Sequence, residues 1–143
     1  MRLATHVVLL AAITGWGWLI LEVFTQSSFP EPEAPPTGFF RETVVPIAGH
    51  VVMFGVLAGL MFAWSVAALL YRRSPLAVLG AALVATTAYG VAIELMQRPV
   101  PGRFASLDDV MFDAIGAAVV LAAGALIFTR WPFRAARSPS PRA

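Results

Sequence analysis

Four long apolar runs separated by short polar stretches dominate the chain. The first, Leu3 to Val23, is interrupted by His6 near its start and Glu22 near its end; the second, Val44 to Leu70, carries His50 and no formal charge. The third extends from Leu76 to about Met96, between Arg72-Arg73-Ser74-Pro75 and Gln97-Arg98-Pro99, with Glu94 its only charge. The fourth extends from about Val110 to Phe128, with Asp113 near its start and Arg130-Trp131-Pro132 at its exit. A helix needs about 20 largely apolar residues to cross the hydrocarbon core of a bilayer, and runs of this length fit. Membrane strands show short alternating segments instead. The pattern predicts an all-α fold, an integral membrane bundle of four transmembrane helices forming a single domain over residues 1–130. The first run exceeds the apolar region of a signal peptide and meets no small-x-small cleavage site before Pro30, so it is expected to be an uncleaved helix.

Composition agrees with the pattern. Of the 143 residues 59% are apolar and 13% charged, against about 25% charged in an ordinary soluble domain. A soluble globular protein is thereby excluded. All ten basic residues are arginines, and they flank the apolar runs or sit in the tail rather than forming a stripe, which argues against a nucleic-acid partner. Four crossings put the N-terminus, the loop after the second span and the C-terminus on one side. That side carries Arg2, Arg72, Arg73, Arg130, Arg134, Arg137 and Arg142; the other carries Arg41, Arg98 and Arg103. The positive-inside rule then makes both termini cytoplasmic and faces the Ser27–Glu42 and Gln97–Asp108 loops outward. The first of these loops, with Pro30, Pro32, Pro35 and Pro36, predicts no regular element. Residues 131–143 read as a disordered basic cytoplasmic tail. Without cysteine there is no disulfide, thiolate nucleophile or thiolate metal ligand.

The polar residues inside the spans gather at one depth. His50 lies about 9 Å inside the outer end of the second span, at 1.5 Å per residue. Glu94 and Gln97, three apart, share a face at the outer end of the third. Arg103 and Ser106 follow in the loop, and Asp109 and Asp113, four apart, share a face at the start of the fourth. Carboxylates at such a depth need a proton, a cation or a charged partner. Glu94, His50 and Asp109 are the candidate catalytic groups, as acid, base or orienting residue. Gln97, Arg103, Ser106 and Asp113 are the candidate ligand-binding groups, Arg103 through its fork of donors; Ser106 fits a helix cap better than a nucleophile. Glu94, Asp109 and Asp113 are candidates to hold a divalent cation, and no organic cofactor is expected. A polar network that only locks the helices together is the competing reading. Gly55 and Gly59, with Gly116 and Gly124, would allow the close packing either reading needs. No Walker loop, GxGxxG, HExxH, CxxC or GxSxG pattern occurs.

Taken in order, His50, Tyr89-Gly90, Glu94-x-x-Gln97, Pro101-Gly102-Arg103-x-x-Ser106-x-x-Asp109 and Asp113-x-x-Gly116 resemble the VanZ-like family of small bacterial membrane proteins, over about residues 44–128. That family includes the accessory protein associated with teicoplanin resistance. Two positions depart from its pattern: Gly49 stands where a charged or polar residue commonly precedes the histidine, and Asp113 where asparagine is usual. The resemblance implies a multi-pass protein of the bacterial plasma (inner) membrane with a polar site at these residues and a link to the cell envelope or to glycopeptide-antibiotic response. The resulting expectation is a protein that binds or modulates an envelope lipid or lipid-linked wall component at the outer leaflet, either by itself or as a homo-oligomer. An integral membrane hydrolase or transferase acting on such a lipid is the alternative.

Overall fold

The computed structural model describes residues 2–25, 43–99 and 105–130. Over these residues the chain is helical: α1 (Arg2–Thr25), α2 (Val45–Ala67), a single turn α3 (Leu70–Arg73), α4 (Pro75–Gln97) and α5 (Leu107–Arg130). Four of the helices are long and apolar enough to cross a membrane, and 23 residues of α-helix span about 35 Å. Their limits differ from the apolar runs at two places. The second span stops at Ala67 rather than Leu70, because Leu69 takes a left-handed conformation (φ 62°) and the chain restarts as α3. The fourth begins at Leu107, three residues ahead of its apolar run, because its first turn carries Asp108 and Asp109, where acidic side chains meet the positive end of the helix dipole.

Prolines shape the starts. Pro46 and Pro75 occupy the first turns of α2 and α4, where the absent N–H has no intrahelical partner in any case. The four long helices alternate in direction. Phe24 near the end of α1 packs at a tilt against His50 near the start of α2, with ring centroids 4.4 Å apart, and the end of α4 meets the start of α5 through Glu94 and Ser106. At the opposite end α3 turns Tyr71 back into the bundle, where it packs edge-on against Phe62 and Phe128.

The α2–α5 pair forms the tightest seam. A side chain at Gly116 would run into the backbone of Val51, and one at Gly55 would lie 3.2 Å from the Gly116 carbonyl oxygen. Lipid offers no hydrophobic drive for helix association, so small residues that let backbones approach take its place. Ala58, Ala82, Ala117 and Leu121 continue this core toward the α3 end. A second core of Ile20, Phe24, Phe54, Leu57 and Ile93 lies under the other end. Helix α1 is attached to it by three hydrogen bonds: Trp16 Nε1 donates to the Met53 carbonyl (2.8 Å), Tyr89 Oη to that of Gly17 (2.6 Å) and Gln97 Nε2 to that of Phe24 (2.8 Å). Large apolar side chains such as Leu3, Leu76, Val84, Leu107 and Ile127 point outward, as a lipid-facing surface requires.

Candidate functional site

At the end of the bundle where α1 and α4 stop and α2 and α5 begin, His50, Glu94 and Asp113 are buried, with 5%, 4% and 1% of their surface exposed. His50 Nδ1 and Asp113 Oδ1 lie 2.8 Å apart. A carboxylate can only accept, so the imidazole carries its proton on Nδ1 and leaves the Nε2 lone pair free. Nε2 faces Asp109 Oδ2 at 3.9 Å. Two features hold the imidazole plane: Phe24 on one side, and Phe54, whose ring is parallel within 4° at 6.2 Å.

Asp113 reaches His50 because of a glycine on a third helix. A β-carbon at Gly90 would collide with Asp113 Oδ2 and sit 3.2 Å from its carboxyl carbon. Gly90 therefore gives the carboxylate its seat, and Glu94, one turn further along α4, presents its own carboxylate on the same face. Glu94 Oε2 accepts the backbone N–H of Ser106 at 2.7 Å, while Oε1 is buried without a hydrogen-bond partner among the described residues.

The start of α5 explains how Asp109 becomes available. The hydroxyl of Ser106 accepts the backbone N–H of Asp109 at 3.3 Å, a helix cap in which Asp109 occupies the third helical position. In a reciprocal capping box the side chain at that position would turn back to the N–H of the cap residue. Here Glu94 takes that N–H from the neighbouring helix, and the Asp109 carboxylate turns toward His50 instead. His50, Glu94 and Asp109 each offer one ligand atom, all within 4.8 Å of one another.

The donors that converge are thus His50, Glu94 and Asp109, rather than the three carboxylates considered from spacing. Asp113 stands behind His50, bonded to it, and Gln97 points away from the cluster to the Phe24 carbonyl on α1. Arg103 lies outside the described residues. Sequence reasoning missed Gly90 as the seat of Asp113 and Phe24 as a wall of the imidazole; the one signal for the first was a small residue four positions before Glu94, on the same helix face. Beside the cluster a pocket of about 140 Å³ opens between the end of α4 and the start of α5, lined by Glu94, Arg98, Ser106 and the apolar Val91, Leu95 and Val110.

The described cluster can hold a cation between two carboxylates and an imidazole, or pass a proton between them. No curated protein and no solved structure matches the chain. The family comparison reaches beyond the 44–128 segment that carries the motif and takes in most of α1. The model described as VanZ/LLP1 matches residues 8–131, so the chain is a multi-pass membrane protein of the VanZ/LLP1 family.

Proposed function

We propose that the polar end of the bundle binds the headgroup of an envelope lipid or lipid-linked wall component in the outer leaflet of the bacterial plasma membrane. The observation that carries this reading is the pocket between α4 and α5, in which the guanidinium-bearing Arg98 and the carboxylate of Glu94 line one opening floored by apolar side chains. A lipid headgroup presents that combination in reverse, a phosphate or carboxylate beside acyl chains. Arginine matches an anionic oxygen group through its fork of donors. The outward orientation rests on the arginine distribution, with both termini cytoplasmic. A role in glycopeptide-antibiotic response follows from the same site if the bound lipid is one that such antibiotics engage.

A second reading, an integral membrane hydrolase or transferase, is favoured by the His50–Asp113 hydrogen bond. A carboxylate behind Nδ1 fixes the tautomer in which Nε2 can take a proton. Native mass spectrometry and lipid analysis of gently purified wild type, Glu94→Gln and Arg103→Ala separate the readings. Retention of one envelope lipid by wild type and its loss from both well-folded variants supports headgroup binding. If the retained lipid is converted on incubation, and Glu94→Gln binds it without converting it, the enzyme reading replaces simple binding. Absence of any specific lipid, together with loss of both variants from the membrane, reduces the cluster to a helix-locking network.

A further inference from the structure

Two acidic ligands, one imidazole and two buried carboxylate oxygens without a partner among the described residues, Glu94 Oε1 and Asp113 Oδ2, make a specific chemical demand. Glu94 is buried within the end of a membrane bundle, yet Oε1 receives no hydrogen bond from any described residue. A carboxylate oxygen left in this condition is costly. The described groups near it do not bond to this oxygen: Asp109 and Asp113 are acidic, Arg98 lines the same pocket without a hydrogen bond to Oε1, and His50 already gives its Nδ1 proton to Asp113. The cluster therefore has carboxylates in excess and one free lone pair, on His50 Nε2.

We propose that His50 Nε2, Glu94 and Asp109 bind a first-row divalent cation of the zinc or manganese class, with Asp113 as the residue that positions His50. Charge balance supports this assignment. A dication offsets the charges of Glu94 and Asp109 and brings the cluster from −3 to −1, leaving only the Asp113 carboxylate, which the His50 Nδ1–H holds, so the penalty near hydrocarbon falls. Ligand type selects the class: imidazole suits zinc, iron, copper and nickel, carboxylate suits manganese and the harder ions, and calcium takes six to eight oxygens that three side chains do not supply. The distances are compatible. Ligands at about 2.0–2.2 Å from a common ion lie at most about 4.4 Å apart; His50 Nε2 to Asp109 Oδ2 is 3.9 Å, and the full set, within 4.8 Å, needs only a small inward movement to meet that limit. Asp109, half-buried and held by its backbone to the Ser106 cap, is the least enclosed of the three ligands.

The second layer supports the same conclusion. A histidine that ligates a metal through one nitrogen ordinarily donates from the other to a carboxylate, which fixes the ring and raises its basicity. His50 and Asp113 have this relation at 2.8 Å, and Gly90 gives up a side chain to allow it. Three protein ligands leave at least one coordination position for an outside oxygen. Glu94 also lines the 140 Å³ pocket, so the phosphate or carboxylate of a headgroup can reach that position. This last step rests on the headgroup reading; the cation site itself does not.

The test uses the full chain in detergent, stripped with a chelator and titrated with Zn²⁺ and separately with Mn²⁺, with bound metal read by elemental analysis and folding by circular dichroism. Wild type is expected to take up one ion per chain. Glu94→Gln and Asp109→Asn should each weaken binding by more than the roughly 10–100-fold that loss of an orienting partner causes. Asp113→Asn, whose amide oxygen still accepts from Nδ1, should retain more affinity than Asp113→Ala. X-ray absorption of the zinc-loaded wild type should show one imidazole among oxygen ligands, a result that depends on no variant folding. A folded wild type that binds neither ion, a zinc site without imidazole, or unchanged affinity in folded Glu94→Gln and Asp109→Asn would overturn the proposal. Lipid content measured before and after chelation keeps the two readings apart: lipid that stays when the metal is removed leaves headgroup binding intact and removes the bridging ion.

Discussion

Gly90 shows how a single hydrogen atom in place of a side chain organises the site. Its Cα face receives the Asp113 carboxylate at a distance that no β-carbon tolerates. Gly90→Ala must therefore push Asp113 off His50 or push α4 off α5. Overpacking of this kind costs about 1–3 kcal/mol, and here it also frees the imidazole to rotate. The expected outcome is a lower unfolding temperature in detergent together with weaker cation uptake. Gly80→Ala, at a position on the same helix with nothing within 4 Å, is the control and should be neutral or slightly stabilising, since alanine is favoured over glycine in a helix by about 1 kcal/mol. Equal loss of stability in both variants would mean that Gly90 has no special seat to protect. From the sequence, Asp113 was visible as a polar residue at the right depth, but its partner was not, because partner choice depends on helix rotation and on the small residue opposite. The same limit applied to Gln97, whose spacing from Glu94 suggests a shared ligand and whose amide is instead bonded to the Phe24 carbonyl.

The helices were readable as elements wherever apolar runs meet punctuation, and unreadable where apolar residues continue through a break. Pro75 and the arginines before it mark the start of α4 without ambiguity. At the end of α2 the residues Ala67, Ala68, Leu69 and Leu70 are all apolar, and hydropathy carries no sign that Leu69 reverses into the left-handed region. At the start of α5 the cap was legible in Ser106, and its effect can be measured. Ser106→Ala removes the acceptor for the Asp109 N–H, which should cost about 1 kcal/mol of stability and also loosen Asp109, so that cation affinity falls while the backbone N–H to Glu94 remains. Unfolding in denaturant and metal titration on the same preparation check both. Further along α5, Gly116→Leu should do greater damage. Its side chain would enter the backbone of Val51 on α2, separating the two helices that carry His50 and Asp113, and loss of the folded protein from the membrane is the expected result. Gly15→Leu on α1, where nothing lies within 4 Å, should leave abundance unchanged.

At the scale of the whole molecule, the alternation of four helices commits every polar group of the cluster to one end, and which side of the membrane that end faces decides what it can meet. Seven of the ten arginines lie at the N-terminus, the connection between α2 and α4, and the tail, so the positive-inside rule predicts an outward-facing cluster. The native chain has no cysteine, so single cysteines report topology without background. Ser74, between α3 and α4, and Ala105, just before α5, are both exposed and belong to opposite ends of the bundle. A membrane-impermeant maleimide applied to intact cells whose outer barrier has been made permeable should label Ala105→Cys and spare Ser74→Cys until the plasma membrane is opened. The reverse pattern would place the cluster against the cytoplasm, where an outer-leaflet lipid cannot reach it, and would end the headgroup reading in its present form. It would leave the cation site standing, because that proposal depends on the mutual placement of His50, Glu94 and Asp109 and not on the side they face. Labelling of both positions from outside would contradict the alternation itself. The topology measurement and the metal titration therefore bear on separate claims, and each can fail without the other.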